Sequence, residues 1–167
     1  SGGSNTFLSP GSSCFYTSSA NNYKITVKFY RDCGGISAPS SLDLEYSSTC
    51  GSGNLNLNMV GGGVDINPLC ASYCNGGNAF GIEEYTYEGV VSLQPCSDWL
   101  FRVCECCRNN AINTIINPGA QGLCVQAEIN NLNTCNNSPS FIEYPAPYIC
   151  VGQSYCYNNG AIDAEGD

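Results

Sequence analysis

Apolar and polar residues alternate with a period of two along most of this chain, the repeat of a β-strand with one buried face. From Tyr23 to Arg31, Ile25, Val27 and Phe29 alternate with Lys24, Thr26, Lys28 and Tyr30, and Asp32-Cys33-Gly34-Gly35 ends the run as a turn. Ser41–Ser47 repeats the pattern, with Leu42, Leu44 and Tyr46 against Asp43 and Glu45. Leu55–Met59 does so with asparagines as the polar partners, until Gly61-Gly62-Gly63 breaks it. Ile82–Leu93 predicts a longer strand interrupted by Gly89, which marks a bulge or a close backbone approach. Within it Glu84, Thr86 and Glu88 fall opposite in phase to Tyr85 and Tyr87, so the carboxylates belong to a solvated sheet face. Leu123, Val125, Ala127 and Ile129 share one face of a further strand, and Cys124, Gln126 and Glu128 share the other. Pro139–Pro147 reads as extended chain at an edge or linker, and Tyr148–Cys156 as a short strand and turn.

The stretch Cys96–Arg108 organises these strands. It holds the chain's one tryptophan, four of its 13 cysteines and two of its five basic residues. Trp99, Phe101 and Val103 share one face, and Arg102 and Cys104 the other, before the strand runs into Cys106-Cys107. Adjacent cysteines are expected to bond to different partners, which would tie this strand's end to two other segments. No convincing amphipathic helix is found. Short strands separated by Gly, Pro and Asn predict an all-β, disulfide-rich antiparallel β-sandwich of immunoglobulin-like type. Residues 1–13 are Gly/Ser-rich and read as a flexible leader or an assembly arm. Residues 14–150 form the β-sandwich domain, and 151–167 a terminal strand or turn with an acidic end.

Thirteen cysteines in 167 residues, with no histidine, point to an oxidising extracellular setting. Zinc is the rival reading, but Cys70-x3-Cys74, Cys104-x-Cys106 and Cys150-x5-Cys156 lack the paired knuckles of structural zinc sites. The disulfide candidates are therefore Cys33, Cys50, Cys70, Cys74, Cys104, Cys106, Cys107, Cys124, Cys150 and Cys156. Cys33 and Cys50 bracket one strand and are candidates to pair, although spacing alone leaves the connectivity open. Cys104 and Cys124 project from the solvent face of strands joined by one connection, where opposed Cβ atoms lie about 4.5–5.5 Å apart. They are predicted to form a cross-strand bridge. The odd total leaves one cysteine free or joined to another chain.

Fourteen acidic residues against five basic ones give a formal net charge of −9. Nucleic-acid binding needs clustered Lys and Arg and is excluded on that balance. No apolar run is of membrane-spanning length, so membrane insertion is not expected. Catalysis finds little purchase. Glu83, Glu84 and Glu88 offer carboxylates to a glycoside hydrolase, yet two of them belong to the solvated face. A cysteine nucleophile would have no histidine as base, and Gly61–Gly63 lacks the Lys and helix of a phosphate loop. Exposed tyrosines such as Tyr85 and Tyr87 suit a lectin-like site for surface glycans. Asp163, Glu165 and Asp167 alternate with small residues, and hard oxygen ligands at that spacing suit calcium. No other cofactor is implied.

Several motifs carry a resemblance in combination. They are Tyr30-Arg31-Asp32-Cys33, Cys74-Asn75-Gly76-Gly77, Glu84-Tyr85-x-Tyr87-Glu88-Gly89 and Cys96-Ser97-Asp98-Trp99. Glu105-Cys106-Cys107-Arg108-Asn109, Asn130–Pro139 and Pro147–Gln153 complete the set. Together, from about Cys14 to Asp167, they resemble the cysteine-rich N-terminal module of large secreted gliding-motility-associated surface proteins of Bacteroidota. That resemblance implies export to the cell surface and an adhesive or structural role, without catalytic residues. The chain departs from it in its leader, in carrying Cys104 and Cys124, and in stopping at Asp167, where the family runs on into further repeats. As a short, free-standing module it would be a self-associating filament subunit, Ser1–Ser13 adding to a neighbour's sheet edge.

Overall fold

The structure is a computed structural model that describes residues 21–67, 72–78, 80–108, 110, 112–132, 138–144, 152–158 and 160–163, with 4–7 and 13–14 as backbone. It is all-β, antiparallel and crosslinked by disulfides. Ten strands are described, in chain order β1 Ser4–Phe7, β2 Ser13–Cys14, β3 Asn22–Asp32, β4 Ser41–Ser48 and β5 Gly51–Asp65. Then follow β6 Ile82–Ser92, β7 Trp99–Glu105, β8 Leu123–Ile129, β9 Ser140–Phe141 and β10 Ala161–Ile162. One eight-stranded sheet runs β1-β3-β6-β5-β4-β7-β8, with β2 also on β3, and β9 and β10 make a small separate sheet. The large sheet curls until β8 touches β1, its other extreme. That curl encloses a common interior and is compatible with the two-layer packing of a sandwich.

Alternation explains the interior. Tyr23, Ile25, Val27 and Phe29 of β3 are buried, as are Leu42 and Leu44 of β4, Leu57 of β5 and Tyr87 and Val91 of β6. Trp99, Phe101 and Val103 of β7 and Ile129 of β8 complete the same cluster. The Trp99 indole donates to the Gln94 carbonyl at 3.0 Å, which satisfies its one polar atom inside the core. β3 and β6 pair without interruption from Asn22↔Ser92 to Asp32↔Ile82. Gly89 sits opposite Ile25 in that ladder. A Cβ there would meet Leu57 Cδ2 at 2.8 Å and Leu55 Cδ2 at 3.0 Å, so this glycine permits a close approach rather than marking a bulge.

The irregularity lies instead in β5. The triple glycine does not end the strand; it bends it, with register shifts between Met59 and Gly61 and between Gly61 and Val64. Gly63 at φ 70 takes the left-handed backbone that such a bulge requires. The first half of β5 pairs with β4 through a two-residue turn at Thr49-Cys50, and the bulged half pairs with β6. Met59, in phase with Leu57 but in mid-strand where the first register shift begins, is exposed. The Tyr148–Cys156 strand expectation lies partly outside the described residues, and 152–158 form no strand.

Candidate functional site

β3 concentrates three of the chain's five basic residues, and β6 answers with three glutamates. On the outer face Lys24 pairs with Glu88 at 2.6 Å and Lys28 with Glu84 at 2.7 Å. Each pair is diagonal, because the residues directly opposite are Lys24↔Val90 and Lys28↔Thr86. Lys28 also reaches Thr86 Oγ1 at 2.8 Å, and the Tyr30 hydroxyl donates to Glu84 at 2.8 Å. Burial, and then the hydrogen bond to Glu84, push the Tyr30 phenol far above its ordinary value. Glu84 is therefore buried and partnered, which corrects the expectation of a solvated carboxylate face. The signal was present as lysines four apart on one strand and glutamates four apart on another, but it needed the strand pairing to be read. At the rim of the inner face Arg31 pairs with Glu83 at 3.2 Å and donates to the Cys33 and Ile36 carbonyls.

Beside this face lies the leader. Ser4–Phe7 pairs antiparallel with β3, Ser4↔Arg31 to Phe7↔Lys28, and Ser13–Cys14 pairs with Lys24 and Tyr23. The two registers differ by two residues, and β1 and β2 pair with opposite ends of β3 as two separate segments.

The tyrosines expected to be exposed are not. Tyr87 is wholly buried, edge-on to Phe29, its hydroxyl donating to the Pro39 carbonyl at 2.5 Å, and burial pushes its phenol up to about 12. Tyr85 packs on the core and donates to Glu83 at 2.9 Å. Both lie on the inner face because they share phase with Phe29 and Val27 across the ladder. Aromatic rings reach solvent elsewhere, at Tyr144, Tyr155 and Tyr157, beside exposed Phe141, Ile142 and Ile162. Tyr155 and Tyr157 lie nearly parallel, 14° apart with centroids at 6.2 Å, and Tyr157 donates to the Tyr144 carbonyl at 2.6 Å.

The bridges sort the cysteines. Cys104 and Cys124 are directly opposed between β7 and β8, exposed and bonded, with Cα atoms 4.1 Å apart. Cys33 bonds to Cys74 and Cys50 to Cys96, which corrects the Cys33–Cys50 expectation. β6 and β5 stand between β3 and β4, and the alternating directions put Cys33 and Cys50 at opposite ends of the sheet. Cys106 bonds to Cys107 rather than to separate segments, a second correction: the bridge closes between neighbours in sequence, just past the end of β7. Cys156 is free and exposed, while Cys70 and Cys150 lie outside the described residues. Among the described residues, two groups have metal-ligand proximity, Cys33/Cys74/Glu83 and Cys50/Cys96/Asp98, and each contains a bonded cysteine pair. Of the calcium candidates, Asp163 follows β10, and Glu165 and Asp167 lie outside the described residues.

Two polar hubs carried no sequence signal. Asp65 accepts from Ser72 Oγ at 2.7 Å, from Asn75 Nδ2 at 2.6 Å and from Asn67 through both backbone and side chain. These donors, Ser72 foremost, hold its carboxyl below the ordinary value. Buried Asn131 clamps the end of β8 to the start of β7 by exchanging hydrogen bonds with the Cys96 backbone at 2.7 and 2.9 Å.

Comparisons with protein-family models, curated proteins and solved structures returned no match. The class that fold and bridges define is a disulfide-crosslinked, antiparallel all-β domain, whose bonded cysteine pairs belong to an oxidising compartment.

Proposed function

We propose that this protein is an extracellular, non-catalytic structural or adhesive component of a bacterial cell surface, acting as a self-assembling filament subunit. The observation that carries this reading is the leader laid as edge strand along β3, because strand addition to a sheet edge is a general route to protein association. Crosslinks distributed over both ends of the sheet suit a subunit that must survive outside the cell. The glutamates a hydrolase would use, Glu83, Glu84 and Glu88, are held in ion pairs with Arg31, Lys28 and Lys24, an arrangement that serves the sheet. Negative-stain microscopy and size-exclusion chromatography of the purified chain test the reading. Filaments or regular oligomers are expected; a monomer at every concentration and salt overturns it.

A second reading rests on Tyr144, Tyr155 and Tyr157. Exposed aromatic rings suit stacking on sugars, so a lectin-like site for surface glycans is proposed there rather than at Tyr85 and Tyr87. A glycan array is expected to give binding that Tyr155→Ala with Tyr157→Ala removes. Binding that survives the double substitution, or no binding at all, counts against it.

A further inference from the structure

Resting on the filament reading, we propose that the leader strand is exchanged between copies: β1 and β2 of one molecule occupy the β3 edge of the next, in the register they hold within one chain. The acceptor is regular. β3 pairs along its full length with β6, so its other edge presents an unbulged row of backbone groups from Tyr23 to Arg31. By contrast the second half of β5, unpaired on its β4 side beyond Asn58, belongs to a strand bent by two register shifts in its ladder with β6, and such bulges discourage strand addition.

Electrostatics favour the same place. A chain of net charge −9 repels its own copies over most of its surface. Yet the first charged side chain in the sequence is Lys24, so the whole leader is uncharged. It docks where Lys24, Lys28 and Arg31 are balanced by Glu88, Glu84 and Glu83. This is where two anionic copies can meet without bringing like charges together.

The attachment point is also defined. The Leu93 N–H donates to the Asn21 carbonyl at 2.9 Å, and Ser92 bonds to Asn22, so the body of the domain holds the chain from Asn21 onward. Asn21 has φ 80, a turn conformation that redirects the chain there. Seven Cα steps lead from Cys14 to this anchor at Asn21, and they reach at most about 25 Å. Exchanged leaders therefore require Asn21 of one copy to lie within that distance of the position opposite Tyr23 on the next, where Cys14 pairs. Exchange reproduces every leader contact of the single chain, so it needs no surface designed separately for association.

Isotope mixing tests this. Heavy-labelled monomer carrying Asn5→p-benzoylphenylalanine is mixed with light monomer lacking the probe, allowed to assemble and irradiated, and the crosslinked peptides are weighed. Asn5 lies opposite Tyr30, so crosslinks from the heavy leader to a light peptide containing Tyr30 are expected in the assembled fraction. A second probe, Ser13→p-benzoylphenylalanine, is expected to reach light Lys24 and guards against a fold disturbed at position 5. If the assembled fraction contains only heavy–heavy crosslinks, exchange is overturned while the filament reading stands. Mixed crosslinks away from β3 overturn the register and with it the proposal. If no assembled fraction forms, both readings fall.

Discussion

At the position of Cys104 and Cys124 the side-chain phase of two strands decides a covalent bond. Both residues occupy the outer face, and the β7–β8 register sets them directly opposite, in a loop with a sequence separation of 20. Closing a loop of that size restricts the unfolded chain, so Cys104→Ser with Cys124→Ser is expected to lower unfolding free energy by about 2–4 kcal/mol. Denaturant titration with the other bridges intact measures it; an unchanged midpoint would show that the bridge adds nothing. Glu105, one residue further on, gives a pH-dependent expectation. Burial, and secondarily Asp43, raise its carboxyl above the ordinary 4.5. A raised folded value means that the stabilising protonated form is fully present below pH 4.5 and is lost as pH rises through the folded value. Glu105→Gln should thus raise the melting temperature at pH 7 and leave it unchanged at pH 4. Equal shifts at both pH values would contradict the assignment.

Between strands, the β3–β6 pair shows how polar side chains support a sheet. Glu84 accepts from Lys28 and Tyr30 on the outer face, while Tyr85 and Tyr87 turn inward from the same strand. Glu84→Ala strands two donors in a half-buried setting and is expected to cost about 1–3 kcal/mol. The double change Glu84→Ala with Lys28→Met should cost less than the two single changes added together. A double-mutant cycle by denaturant unfolding reads this coupling, and strict additivity would mean that the pair does not interact. The strands themselves were legible because period-two burial leaves a direct trace in sequence, as in β3, β4 and β8. What the phase of β6 could not show was how its outer face is used. Glu84 and Glu88 have the composition of a solvated face, and only the pairing with β3 supplies the lysines that allow Glu84 to be buried.

For the molecule as a whole, charge sets the terms of association. Among the described residues Lys24, Lys28 and Arg31 pair with Glu88, Glu84 and Glu83, and the chain as a whole carries 14 carboxylates against five basic residues. Copies carrying that excess repel one another at low ionic strength, over a Debye length of about 30 Å at 0.01 M and 8 Å at 0.15 M. Self-association followed by light scattering is therefore expected to be faster at 0.15 M salt than at 0.01 M. A rate that is independent of salt would mean that the net charge of the whole molecule does not oppose association.

The sequence by itself determined the all-β class, the faces of β3, β4, β7 and β8, and the outward projection of Cys104 and Cys124. Each of these follows from alternation within a single strand, a local property. Tertiary structure decided which strands are neighbours. It sent Cys33 to Cys74 and Cys50 to Cys96, because intervening strands carry Cys33 and Cys50 to opposite ends of the sheet. It buried Tyr87, gathered donors from Asn67, Ser72 and Asn75 around Asp65, and laid the leader on β3. These outcomes depend on contacts between residues far apart in sequence, and period-two alternation carries no information about which distant strand completes a pair.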